Sequence, residues 1–163
     1  MSIANALLPE FDNEIATTRR LIELIPEADV DWKPHEKSTS MGSLGLHLIR
    51  VLTWAPIALQ GTEFEVTKGD PIKFESRTSV LALFDETAAA ARVAIASASD
   101  EDYMVTWTLR AGGKQIFAIP RGAVIRSFVL NHLIHHRGQL SVYLRLRDVP
   151  LPSIYGPTAD NPL

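Results

Sequence analysis

Five histidines and no cysteine decide which metal chemistry this chain can do. Disulfides, iron–sulfur clusters, thiolate zinc sites and a cysteine nucleophile are excluded together. A metal ion can only be held by imidazole nitrogen and carboxylate oxygen. The histidines are His35, His47, His132, His135 and His136, and three of them fall in a pattern. His132 and His136 are four residues apart, which on a helix puts their rings one turn apart on one face. At about 100° per residue, Ile125, Val129, Leu140 and Tyr143 share that face. Both rings therefore sit in an apolar stripe that should face the core. His47 repeats the arrangement on an earlier helix, in a stripe with Leu44, Val51, Trp54 and Ala58.

A buried imidazole without a partner costs about 1–3 kcal/mol. One divalent cation would serve three inward rings, leaving the open positions of a catalytic rather than a structural site. Zinc, nickel and iron all accept such ligands. His135, three residues after His132, competes as a ligand from the edge of the stripe. Gln139 lies on the same face and is placed to hydrogen-bond a ligating histidine. Arg137 falls off the stripe, where it is expected to pair with a carboxylate on another helix. Trp32, Trp54 and Trp107 read as core.

Sharper catalytic motifs are missing. Leu133 follows His132, so the His-Glu-x-x-His pattern of zinc proteases is absent. No Glu-x-x-His pair supports a carboxylate-bridged di-iron site. There is no Gly-x-Ser-x-Gly elbow and no phosphate-binding loop. No catalytic residue is assigned, although His35 or a carboxylate from elsewhere is available as a base.

The elements that must position these residues are mostly helical. A first helix is expected over about 3–25, with Pro9 marking a kink or a first turn and Pro26 the stop. A loop over 26–42 leads to a second helix over about 43–60, kinked at Pro56. Residues 61–77 read as polar and irregular. A third, alanine-rich helix covers about 78–98. Runs at 103–109 and 115–119 flank Gly112-Gly113 and read as a β-hairpin. The last helix is expected unbroken over about 123–147. The architecture expected is all-α, a four-helix bundle with a small β-hairpin before the last helix. At this length residues 1–163 are expected to form one domain.

The net charge of −3 argues against a nucleic-acid partner, which usually demands a basic balance. The N-terminus lacks a basic, apolar leader, and no stretch of about 18 consecutive apolar residues predicts a membrane span. A cytoplasmic location is the expectation.

Around the last helix the residues resemble a known family. Asn131-His132-Leu133-Ile134-His135-His136-Arg137-Gly138-Gln139-Leu140 and Tyr143-Leu144-Arg145 are similar to a signature of the DinB family. So are Asp31-Trp32-Lys33-Pro34-His35, the block Ser43-Leu44-Gly45-Leu46-His47-Leu48, and the tail from Pro152 to Asp160. The resemblance spans essentially the whole chain. It implies a four-helix bundle with a long second-to-third connection, a divalent metal on His47, His132 and His136, and a homodimer. It further implies a link to thiol-dependent S-transferases that use low-molecular-weight thiols such as bacillithiol or mycothiol. The enzyme expected is a metal-dependent S-transferase. The alternatives are a metal-dependent hydrolase and a non-catalytic bundle that binds metal or a small ligand.

Overall fold

The computed structural model describes residues 1–67 and 73–162. The chain is mostly helical, with a small three-stranded sheet. Helix α1 (Ile3–Glu23) starts where the Ser2 hydroxyl accepts a hydrogen bond from the Asn5 amide at 3.2 Å. It runs on through Pro9. That residue gives up one helical hydrogen bond, at a cost of about 3 kcal/mol, which the burial of Phe11, Leu21 and Ile22 outweighs. The second helical segment is two helices, α2 (Met41–Leu52) and α3 (Trp54–Gln60). The break falls at Thr53, whose hydroxyl donates to the Arg50 carbonyl at 2.8 Å. Pro56 is not the kink expected of it. It sits in the first turn of α3, where a helix leaves its amides unpaired and a missing N–H costs nothing.

Residues expected to be irregular contain a short strand, β1 (Glu63–Val66); residues 68–72 of that stretch lie outside the described residues. Helix α4 (Arg77–Ser97) begins at a reciprocal cap between Ser76 and Ser79. The expected start of the hairpin at Tyr103 is instead part of a short helix, α5 (Asp100–Met104). Ser99 and Asp102 cap each other there, a Ser-x-x-Asp pattern visible in the sequence. Strands β2 (Thr106–Ala111) and β3 (Lys114–Pro120) form the hairpin. Gly112 and Gly113 take φ of 59° and 74° at its turn, a conformation in which a Cβ is strained. β1 adds to β2 in parallel, giving the order β1-β2-β3.

The last helical segment is not uniform. α6 (Arg121–Val124) leads into a π-helical stretch, Ile125–Asn131, and then into α7 (His132–Leu146). A π turn spans i to i+5 and shifts the phase of everything before it. The two histidines of α7 lie after the shift, so their relative placement follows ordinary α-helical geometry.

One connected core joins α1, α2, α3, α4, the hairpin and α7. α2 packs against both α7 and α4, and α1 against α4 and α7. Met41–Gln60 matches a membrane span in length and composition, but 61% of it is buried within the fold, and His47 and Arg50 interrupt it. That is the position of a core helix. The close approach at the start of α2 depends on Gly42, where a Cβ would come within 3.0 Å of the Val30 side chain and carbonyl.

Candidate metal centre

α2 and α7 cross with His47 facing His132 and His136, and all three rings are half-buried. The Nε2 atoms of His132 and His136 are 2.8 Å apart, and those of His47 and His132 are 3.3 Å apart. One ligand atom from each residue falls within 4.8 Å of the others. Four ligands held tetrahedrally at about 2.0–2.1 Å would have edges of about 3.3 Å, so the spacing suits a small divalent ion.

The far side of the His136 ring says which of its nitrogens carries the proton. His136 Nδ1 lies 2.7 Å from Gln139 Oε1. An amide oxygen only accepts, so Nδ1–H donates and Nε2 keeps its lone pair. The His136 Nε2 lone pair faces His132 Nε2 at 2.8 Å, so a proton or a metal cation must lie between them. A proton could bridge two of the rings, whereas a divalent ion satisfies all three. Burial lowers the pKa of His47 to about 4, helped by the charges of His136, His132 and Arg50. Burial also lowers that of His132, with His136 and His135 adding to it and the Phe128 hydrogen bond opposing. Such rings stay neutral near pH 7, the state a metal ligand needs.

The group is open on one side. A cavity of about 430 Å³ is lined by His47, His136, Thr39, Ser43, Leu44, Leu46 and Arg50. Among the described residues no fourth His or carboxylate joins the three rings. A separate groove is lined by Ser127, Phe128, Asn131, His132 and His135.

His135 is exposed, its ring 4.9 Å from that of His136, and it lies outside the three-ring group. His35 is also apart, in a loop turn where its Nδ1 accepts from the Lys37 amide at 3.1 Å. None of the three tryptophans lines the cavity. Trp107 is fully buried, Trp54 stacks on Phe128 at 5.8 Å, and Trp32 meets Tyr143 edge-on at 5.7 Å.

Arg137 is only 1% exposed and pairs with Glu14 on α1 at 2.5 Å. The Tyr155 hydroxyl closes this group, accepting from Arg137 at 2.6 Å and donating to Glu14 at 2.8 Å. The tail therefore folds back onto the helices next to the histidines without entering their cavity. Two features here were not anticipated from sequence, the Glu14 partner and the cavity wall of Ser43 and Arg50. Both had a signal. Glu14 is a lone acid among the buried residues of α1. Ser43 and Arg50 lie four before and three after His47, on its own helix face.

The sequence profile of the DinB superfamily matches residues 10–140. No curated protein matches the chain. A DinB-like protein from Bacillus cereus superposes with a TM-score of 0.71 at 19% identity, covering 94% of this chain and 98% of its own. A DinB-like protein from Bacillus subtilis gives 0.71 at 18% identity, with 97% and 99% covered. At these identities the likeness is one of fold.

Proposed function

Because this chain belongs to the DinB superfamily, we propose that it is a divalent-metal-dependent enzyme whose ion is held by His47, His132 and His136. The observation that carries this reading is the convergence of three imidazoles, with the Nε2 atoms of His132 and His136 2.8 Å apart, beside an open cavity. A closed set of four protein ligands would favour a structural role; three with an open side favour catalysis. A divalent ion bound there supplies a Lewis-acid position that lowers the pKa of a thiol or a water. The chain's own residues prepare that position. Gln139 fixes the tautomer and orientation of His136, and burial keeps His47 and His132 neutral.

The reaction proposed is transfer by a low-molecular-weight thiol, with hydrolysis as the alternative. The missing cysteines suit the first, since the sulfur nucleophile then arrives with the cosubstrate. The fold proposed for the site is a single-domain four-helix bundle, supported by the continuous core that α1, α2, α4 and α7 share. A homodimer is the assembly the family resemblance implies, and light scattering tests it.

Elemental analysis of untagged protein, purified without added metal, tests the site. About one ion per chain is expected in the wild type, and little in His47→Ala or His136→Ala. A wild type that stays empty after incubation with zinc, nickel and iron salts refutes the metal reading. Loaded protein that consumes an electrophile only when a small thiol is present supports S-transfer; consumption without a thiol supports hydrolysis.

A further inference from the structure

Ser43, His47 and Arg50 occupy one face of α2, and all three side chains line the cavity. Arg50 is the one permanently charged residue in that lining, and no carboxylate accompanies it. Most other arginines are paired, Arg77 being the other one without a side-chain partner among the described residues. Eight of the eleven arginines pair with a carboxylate, the buried Arg137 and the exposed Arg92 among them. Arg50 has neither an ion pair nor a side-chain hydrogen bond among the described residues. It stands three residues from His47, where side chains on a helix are neighbours, about 5–6 Å apart at Cβ.

Three neutral imidazoles cancel none of a divalent ion's charge. With the metal bound, the cavity would hold that charge and the Arg50 guanidinium, with no acid to balance either. Such a wall repels cations and gains little from a neutral ligand. It favours a ligand that is itself anionic, because a guanidinium donates two parallel hydrogen bonds to a carboxylate. The Ser43 hydroxyl, which accepts from Ser40 at 3.0 Å, has its own proton free to donate on the same wall.

We infer that Arg50 sets the ligand specificity of this cavity by receiving a carboxylate on a small ligand whose donor atom reaches the three-histidine group. This rests on the metal reading above and names the class of cosubstrate that reading lacks, an acidic thiol. Leu44 and Leu46 supply the apolar part of the same wall.

The test compares mercaptoacetate with mercaptoethanol, two thiols of similar size that differ in the carboxylate. Full-length protein is loaded with cobalt(II), and sulfur coordination is followed by its charge-transfer absorption near neutral pH. Cobalt content is measured on the same samples. The wild type should bind mercaptoacetate about tenfold more tightly, the low end for one charge-assisted contact at an exposed arginine. Arg50→Gln should keep its cobalt and bind the two thiols within about twofold of each other, with Arg50→Lys between. Equal affinities in loaded wild type, or a preference that survives Arg50→Gln, overturn the role of Arg50 and leave the metal site standing. Failure of the wild type to load cobalt overturns both. The wild-type comparison needs no variant, so a misfolded substitution does not blunt it.

Discussion

Replacing Gln139 by leucine separates positioning of the site from stability of the fold. The Gln139 oxygen accepts from His136 Nδ1 at 2.7 Å, which holds the proton away from the Nε2 that faces the cluster. Without that acceptor the neutral ring is free to rotate and to place its proton on Nε2, where it must be displaced before a metal can bind. Loss of such a partner typically costs 10–100-fold in metal affinity. Gln139 is exposed, so water takes over part of the acceptor role. The low end is therefore expected, about tenfold or about 1.4 kcal/mol. An exposed substitution away from the core should change folding stability by no more than about 0.5 kcal/mol. The assay is a zinc titration near neutral pH against a chelator of known affinity, with a urea unfolding curve for each protein. Gln139→Glu, which keeps an acceptor and adds charge, should bind at least as tightly as wild type. Zinc affinity of Gln139→Leu within about twofold of wild type refutes the positioning argument.

Glu14→Leu leaves the Arg137 guanidinium buried with no carboxylate, only the Tyr155 hydroxyl and the carbonyl of residue 14. It should cost about 3–5 kcal/mol and lower Tm by on the order of 10 °C for a chain of this size; Glu14→Leu with Arg137→Met should recover most of that loss. If the single and double variants unfold alike, the pair is not the cause. His47 has a folded pKa of about 4 against about 6.5 in the unfolded chain, so the unfolded state binds more protons between these values. Metal-free protein then keeps this stabilisation above about pH 6.5 and loses it as pH falls toward 4. After screening of the half-exposed ring is allowed for, this amounts to about 1–2 kcal/mol. Urea midpoints across that window should fall less in His47→Gln, and parallel curves would count against the shift. Gly42→Ala should destabilise by about 1–3 kcal/mol because its Cβ meets backbone at Val30. Gly138→Ala, with open space around it, should stabilise by about 0.5–1 kcal/mol; chemical denaturation of both reads the contrast.

Helical periodicity made the core of the candidate site legible. His132 and His136 share a face whatever surrounds them, since four residues bring a helix round by about one turn. His47 was legible because it stands alone among apolar neighbours. The same logic placed the four long helical segments and the Gly112-Gly113 turn. It erred where a boundary depends on competition between neighbouring elements. Tyr103 has strand-forming character, but its hydroxyl donates to the Ile95 carbonyl at 2.7 Å and the Ser99 cap draws it into α5. The parallel strand β1 has only four residues and little apolar pattern. It exists because β2 offers a free edge to Glu63–Val66.

The faces of the helices, and so the inward aim of three imidazoles, follow from residue order alone, because neighbours three and four apart are set by the backbone itself. What those rings meet does not. The crossing of α2 and α7 put Nε2 against Nε2, and the π turn before His132 set the phase of the residues that precede it. The return of the tail brought Tyr155 to the Glu14–Arg137 pair. Each of these joins residues far apart in the chain. Their meeting is decided by how the helices pack, and packing depends on all the side chains at once.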